Sequence, residues 1–193
     1  MLQNYVNKEV GMRLKGMLGE IFTPTYAQID LKNATIRIKD GGAGTAQQSI
    51  EVTIGEGNLT YTERKNMDYT LDRGNLDEVR EGDQVPVDVS LDAVWEYITG
   101  GSATGAVPTI EDALKNRGPA AAWVSSDPDA CRPFAVDLEI EYLPVPSNCG
   151  DKEIITIPDF RHEEIAHDLR AGTFAISGRA NVTEATAVRS AQS

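Results

Sequence analysis

The feature that most constrains the fold is a strict alternation of apolar and charged side chains. In the stretch FAVDLEIEY, residues 134–142, the apolar positions are Phe134, Val136, Leu138, Ile140 and Tyr142. The residues between Val136 and Tyr142 at the intervening positions are all acidic. Side chains on a β-strand point alternately to opposite faces, so this pattern predicts a strand with one face in a core and the other in solvent. A helix would scatter the same apolar residues around its axis.

The same period of two recurs along the chain and predicts several more strands. The further strand stretches are ATIRIKD (34–40), SIEVTIG (49–55), VPVDVSLD (85–92), EIITI (153–157) and GTFAISG (172–178). Leu59, Tyr61, Tyr69 and Leu71 suggest one further pair. The Gly-rich stretch DGGAGT (40–45) predicts a hairpin connection between the first two strands. Residues 62–83 are strongly polar and too long for a tight turn, so we expect a long polar loop that is either flexible or a contact arm.

One short helix is marked by its ends. In PTIEDALKNRG, Thr109 is placed as the N-cap and Asp112 follows three residues later, which is the spacing of a capping box. Gly118 is expected to end the helix, and Lys115 and Arg117 lie near its negative end.

The predicted fold class is therefore mainly β: an antiparallel β-sandwich of seven or eight strands with one short flanking α-helix. We expect an N-terminal arm over residues 1–28, the sandwich domain over residues 29–187, and a polar C-terminal tail over residues 188–193.

The formal net charge of −12 is unevenly distributed. Residues 1–39 contain six basic and three acidic side chains, a balance of +3, and residues 56–92 contain four basic and ten acidic ones, a balance of −6. An acidic chain is not expected to bind nucleic acid tightly, because Lys and Arg supply the affinity for phosphate. A basic start and an acidic middle could attract each other between copies of the chain, or the acidic surface could serve solubility alone. No apolar run reaches the roughly eighteen residues that would span a bilayer, and we expect no signal peptide in the first residues, because charged side chains interrupt them.

The sequence contains no recognisable catalytic or metal-binding motif. His162 and His167 lie in HEEIAH, which looks like a zinc-protease helix but has a spacing of five instead of four. On a strand this odd spacing would place the two rings on opposite faces. Cys131 and Cys149 lack the spacing of a zinc site. We therefore expect no enzyme, no metal and no cofactor, with HEEIAH as a charged connector.

The outward carboxylates of Asp137, Glu139 and Glu141 form an acidic stripe along one predicted strand. Such a stripe is ordinary for a solvated face. As the lining of a closed channel it would repel a polyanion and let it slide. The periodicity does not choose between the two.

Several long stretches, taken in order, carry a family resemblance. They are IDLKNATIRIKDG, VTIGEGNLTYTERKNMDYTLDRGNLDEVREGDQVPVDVSLDAVWEYI, CRPFAVDLEIEYLP and DFRHEEIAHDLRAGTFAISGRANVTEA, which together span residues 29–187. In order and spacing they resemble the tail tube (major tail) proteins of tailed bacteriophages. The arm of residues 1–28 is not part of the resemblance.

The resemblance implies a structural virion protein whose β-sandwich forms hexameric rings that stack into a hollow tail tube, the conduit for genome ejection. One sheet of each subunit would join its neighbours into an inner barrel. Implied partners are further copies of the chain, the tape measure protein, terminator and baseplate or tail-tip proteins, and, in a contractile tail, a sheath protein. Double-stranded DNA would pass through without sequence-specific binding, and the chain would not bind a membrane. Assembly would take place in the bacterial host cytoplasm.

Two sets of residues are then candidates for a role in the tube. The candidate lumen-facing acidic residues are Asp137, Glu139 and Glu141, or Asp88 and Asp92. The candidate contacts between stacked rings lie in the polar excursion: Arg64, Lys65, Asp68, Asp72, Arg73, Asp77, Glu78 and Arg80. The competing interpretation is a soluble β-sandwich binding module for a carbohydrate or a cell surface. Such a module should expose aromatic side chains, whereas Trp95 is expected in the core.

Overall fold

The structure, a computed structural model, describes residues 33–54, 57–94, 107–143 and 151–190. In chain order the strands are β1 Ala34–Lys39, β2 Ser49–Val52, β3 Leu59–Thr62, β4 Lys65–Asp72, β5 Asn75–Gln84, β6 Val87–Val94, β7 Val136–Tyr142, β8 Lys152–Asp168, β9 Thr173–Ala180 and β10 Thr186–Ser190. Within the described ranges, one α-helix, α1, spans Ile110–Leu114, and 3₁₀ turns span Gly44–Ala46 and Gly118–Ala120. The predicted fold class, mainly β and antiparallel with one short helix, is confirmed among these residues.

Eight of the strands form one antiparallel sheet in the order β2-β1-β7-β8-β9-β6-β3, with β10 also paired to β8. The 17-residue strand β8 joins its two parts. Its first half pairs with β7 on one side and β10 on the other, and its second half pairs with β9. The sheet curls so that its two ends meet. This is seen where the backbone N–H of Val94 at the end of β6 donates to the carbonyl of Thr53 just beyond β2.

The core lies between the two parts of this sheet and follows the alternation read from the sequence. Val136, Leu138 and Ile140 of β7 are buried, as are Val87, Val89 and Leu91 of β6. These side chains belong to one hydrophobic cluster together with residues of β1, β2, β8, β9 and α1. The outer faces of the two layers therefore point away from a shared core, as in a sandwich.

Strand β8 changes layer at a bulge. Val136 pairs with Phe160 while Leu138 pairs with Ile157, so β8 has one residue more than β7 across this step. Asp159 adopts a φ of 55°, a left-handed conformation that Asp tolerates better than most residues. Its backbone N–H donates to Oδ1 of Asp137 at 3.1 Å. The extra residue bends the strand and redirects its second half toward β9.

A second bulge lies within HEEIAH. His162 pairs with Gly178 but Glu164 pairs with Ser177, so Glu163 has no partner residue in β9. A Cβ atom on Gly178 would lie 2.1 Å from the carbonyl oxygen of Arg161, so only glycine fits opposite this bulge.

The helix signals are confirmed, although α1 ends earlier than expected. The hydroxyl of Thr109 accepts from the N–H of Asp112, and the Asp112 carboxylate accepts from the N–H of Thr109, which completes the capping box. Lys115 is already the C-cap, ahead of Gly118. The buried face of Ile110, Ala113 and Leu114 packs into the core.

Three expectations about local structure are wrong. Residues 62–83 were expected as a long polar loop, but most of them form the paired strands β4 and β5, because the turn Asp72–Asn75 has the left-handed residues Arg73 and Gly74 that close a hairpin. HEEIAH is part of β8 and not a connector. Residues 188–190 of the expected tail belong to β10, which pairs with the start of β8.

Some expectations concern residues outside the described ranges: the arm of residues 1–28, Trp95, Cys149 and the last three residues of the chain. Trp123 is described and is buried, with 7% of its surface exposed. Among the described residues, no helix has the length and apolar character needed to cross a membrane.

Candidate assembly surfaces

The first candidate surface is the outer face of the layer formed by β1, β7 and the start of β8. Asp137, Glu139 and Glu141 lie here, opposite the buried face of β7, as the alternation predicts. The facing positions are basic: Arg37 is paired in register with Glu139, and Lys39 with Asp137. The carboxylates of Glu139 and Glu141 are therefore in reach of cations on β1.

Ion pairs neutralise most of this acidic stripe. The Arg37 guanidinium contacts Glu139 at 3.2 Å and also pairs with Glu141. Lys39 pairs with Glu139, and Lys152 of β8 pairs with Glu141. The hydrogen bonds from Lys152 and then from Arg37 lower the pKa of Glu141. The stripe is thus charged but balanced, which the sequence could not show because strand pairing was unknown.

Asp137 differs from the other two carboxylates of the stripe. It accepts the backbone N–H of Asp159 in the first bulge, and the side chain of Asp159 accepts from the hydroxyl of Ser126 at 3.0 Å. Burial is the main cause that raises the pKa of Asp137, and the nearby carboxylate of Asp159 adds to it. Asp137 therefore stabilises the bend of β8 by accepting this N–H, and contributes less to the charged surface.

The second candidate surface is the outer face of the other layer, formed by β3, β6, β9 and the end of β8. Asp88 lies here between two arginines, 3.0 Å from Arg64 and 3.0 Å from Arg179. Asp92, on the same face of β6, is exposed. The two predicted acidic sets therefore lie on the outer faces of different layers, and the structure does not bring them together.

The third candidate surface is the β4–β5 ribbon, a two-stranded sheet that lies apart from the eight-stranded sheet. It holds or borders all eight predicted inter-ring residues: Arg64, Lys65, Asp68, Asp72, Arg73, Asp77, Glu78 and Arg80. Asp68 pairs in register with Arg80, and Arg80 also contacts Glu78 at 2.8 Å. At the base, Lys65 contacts Glu184 at 2.7 Å, which ties the ribbon to the turn before β10.

The opposite face of the ribbon is apolar, and the sequence analysis recognised only Tyr69 and Leu71 of it as strand residues. Tyr69 is paired with Val79, Leu71 is paired with Leu76, and Met67 lies on the same face next along β4. These five side chains are between 41% and 73% exposed. The signal was present, because Met67, Tyr69 and Leu71 alternate with polar residues, but the high charge of the segment obscured it.

The two histidines lie differently from the expectation that odd spacing would put their rings on opposite faces. The second bulge places His162 opposite Gly178 and His167 opposite Phe174, so both rings lie on the same face of β8. They remain four positions apart along β9, which is about 13 Å. Across the described residues, no group of three or more His, Cys, Asp or Glu side chains could hold a metal ion.

His167 faces the region of α1. The ring of His167 packs 5.8 Å from the ring of Phe174, and its Nε2 lies 4.0 Å from the carboxylate of Glu111. Burial, followed by the charge of Lys115, lowers the pKa of His162. Cys131 is a free, exposed cysteine.

Comparison with known proteins gave matches only among solved structures. No protein-family model matches the chain, and no curated protein matches it. The PVC sheath/tube terminator of an extracellular contractile injection system, in the extended state, aligns with 86% of this chain and 99% of its own at 8% identity, with a TM-score of 0.49. A chain of the PVC sheath–tube complex in the extended state aligns over 86% of this chain and 95% of its own, at 8% identity and a TM-score of 0.48.

A third solved structure is the anti-feeding prophage cap, a tube terminating cap. It aligns with 89% of this chain and 100% of its own at 10% identity, with a TM-score of 0.45. At these identities and TM-scores, the similarity assigns no role to any residue of this chain.

Proposed function

We propose that this chain is a structural subunit of a phage-type tail tube, which assembles as hexameric rings that stack into a conduit for the genome. The observation that carries the proposal is the amphipathic β4–β5 ribbon, which extends from a β-sandwich and has an apolar face that no other described residue covers. The collinear sequence resemblance over residues 29–187 supports the same function. The tape measure protein, the terminator and the baseplate or tail-tip proteins would then be its partners, with a sheath protein in a contractile tail.

Unpaired strand edges support the formation of rings. Strands β2 and β3 end the eight-stranded sheet, and each has one strand partner among the described residues. An open edge presents unpaired N–H and C=O groups, which invite pairing with another chain. A ring with cyclic symmetry would satisfy those groups by joining the sheets of neighbouring subunits.

The ribbon supports the stacking of rings. It departs between the end of β3 and the start of β6, so it extends from that layer, with a length of about 27 Å for the eight residues of β4. We propose that its apolar face docks on a subunit of the next ring and that its charged residues, including Asp68, Glu78 and Arg80, fix the register of that contact.

Deleting residues 64–80 tests this function. Thr62 and Asp88 are already paired in register, and seven residues, 63 and 81–86, would remain to connect β3 to β6. The deletion should therefore leave the sandwich folded. Its far-ultraviolet circular dichroism spectrum should still be that of a β-protein. Negative-stain microscopy at high concentration should show tubes for the full chain and none for the deletion.

Three other results would contradict the proposal. Tubes formed normally by the deletion would exclude the ribbon as the stacking contact. Isolated rings of the full chain that never stack would indicate a cap or terminator instead of a tube subunit. A full chain that remains monomeric at every concentration would favour the soluble binding module.

A further inference from the structure

The apolar face of the β4–β5 ribbon has no cover among the described residues. The face consists of Met67, Tyr69, Leu71, Leu76 and Val79. A two-stranded hairpin is at best marginally stable alone in water, and contiguous apolar surface of this kind marks a binding site. The described part of the subunit therefore leaves this face open to an occupant.

We propose that residues 6–22 of the same chain cover the apolar face of the ribbon in the free subunit. In the sequence, Val6, Val10, Leu14, Met17 and Ile21 recur at spacings of four, four, three and four. This spacing is typical of one face of an amphipathic helix, and such a stripe fits an apolar sheet face.

The charges of the two segments are complementary. The ribbon and its flanks, residues 62–84, contain seven acidic and four basic side chains, a balance of −3. The centre of the N-terminal segment, residues 8–15, contains three basic side chains and one acidic, a balance of +2. On the apolar face itself, Glu81 lies opposite Met67 and offers a carboxylate to this basic centre.

The N-terminal segment joins the fold near the base of the ribbon. The carbonyl of Asn33 accepts from Leu143, and Ala34, Tyr142 and Glu153 follow in register across β1, β7 and β8. Arg189 of β10 pairs in register with Glu153, and just before β10 the backbone N–H of Ala185 donates at 2.7 Å to the carboxylate of Glu63, beside the ribbon. Adjacent strands are about 4.8 Å apart, so Ala34 lies roughly 10 Å from Glu153.

The connecting residues are long enough to reach the apolar face in the same molecule. Residues 23–32 can span up to about 33 Å when extended. A tether of this length gives an effective concentration on the order of millimolar, which exceeds the concentration of other copies in dilute solution. We therefore assign the contact to the segment of the same chain. This proposal concerns the free subunit and stands whether or not subunits go on to form a tube.

Photo-crosslinking tests this contact. A benzophenone amino acid is introduced at Tyr69 on the apolar face, or at Thr70 on the opposite face as the matched control. The full chain is irradiated at a concentration at which sedimentation shows only monomers. Cross-links from position 69 should map to residues 6–22 and exceed those from position 70 about tenfold. Leu14→Asp should reduce them by about the same factor, because it removes apolar burial from the contact.

An equal mixture of ¹⁵N-labelled and unlabelled chains shows whether the cross-linked segment belongs to the same molecule as the ribbon or to another copy. Cross-linked products in which both peptides are labelled, or both are unlabelled, support the assignment to the same chain. Mixed products, equal cross-linking from positions 69 and 70, or cross-links from position 69 to any other part of the chain would overturn it.

Discussion

At the scale of single residues, the buried carboxylate of Asp127 shows what sequence alone could not reveal. Only 4% of this residue is exposed, and it accepts hydrogen bonds from Asp129, Arg161 and Arg132. Arg161 lies 34 residues further along the chain, so no local pattern predicts the pair. Together they fasten the loop before β7 to the second half of β8. The sequence showed an acidic chain but not which carboxylates are structural.

Asp127 and Asp137 should have opposite effects on stability as pH changes. The backbone N–H of Asp129, followed by Arg161, lowers the pKa of Asp127 to about 2. Its contribution is therefore complete above its unfolded pKa of about 3.9 and is lost as pH falls to about 2. Burial raises the pKa of Asp137, so the stability it favours is present below about pH 3.9 and is lost as pH rises through the folded pKa.

Urea unfolding of Asp127→Asn and Asp137→Asn across pH 2–7 checks these signs. Asp127→Asn should be less stable than the unmodified chain at pH 7, and the difference should shrink toward pH 2. Asp137→Asn should be more stable at pH 7, because Asn can still accept the N–H of Asp159 without a buried charge, and the gain should vanish in acid. Parallel pH profiles for the two variants would contradict the assignment.

At the scale of elements, alternation predicted most of the strands, whereas of their pairings only the hairpin of β1 and β2 was predicted, from its Gly-rich connection. The burial of Val87, Val89 and Leu91 follows directly from the period of two. The bulges at Asp159 and Glu163 could not be predicted, because each is defined by a partner strand that is distant in sequence. Most of the ribbon was mistaken for a loop because its many charged residues obscured the alternation of its apolar ones, of which only Tyr69 and Leu71 had suggested a strand.

The capping box of α1 offers a test of a local prediction that was confirmed. The helix has only five residues, so each satisfied N–H at its start matters, and its face of Ile110, Ala113 and Leu114 is part of the core. Thr109→Ala should lower the free energy of unfolding by about 0.5–2 kcal/mol. Thr109→Ser keeps the hydroxyl and should restore most of the loss in the same urea titration. An equal loss in both variants would show that the methyl group of Thr109, and not the cap, is responsible.

At the scale of the whole molecule, the sandwich restricts which charges can share a lumen. Asp92 lies on the outer face of one layer, whereas Glu139 and Glu141 lie on the outer face of the other, with the core between them. A tube has one inner wall, so both acidic sets cannot line it. From the sequence the two sets were alternatives for the lumen wall. The sequence could not distinguish between them, because both alternate in the same way with apolar residues. Neither set would give the lumen a wall of unpaired carboxylates. Glu139 and Glu141 are ion-paired, and Asp88 lies between two arginines.

Cysteine labelling of assembled tubes should separate the two faces. Asp92→Cys reports one face, and Glu51→Cys reports the other, because Glu51 is exposed and paired in register with Arg37 beside Glu139. Both native cysteines are first replaced by serine. A maleimide on a bulky folded carrier should label both variants as free subunits, since both positions are exposed. After assembly it should label only one of them, because a carrier wider than the lumen cannot reach an inner wall. Equal labelling of both positions, or protection of both, would show that the layers are not divided into an inner and an outer wall.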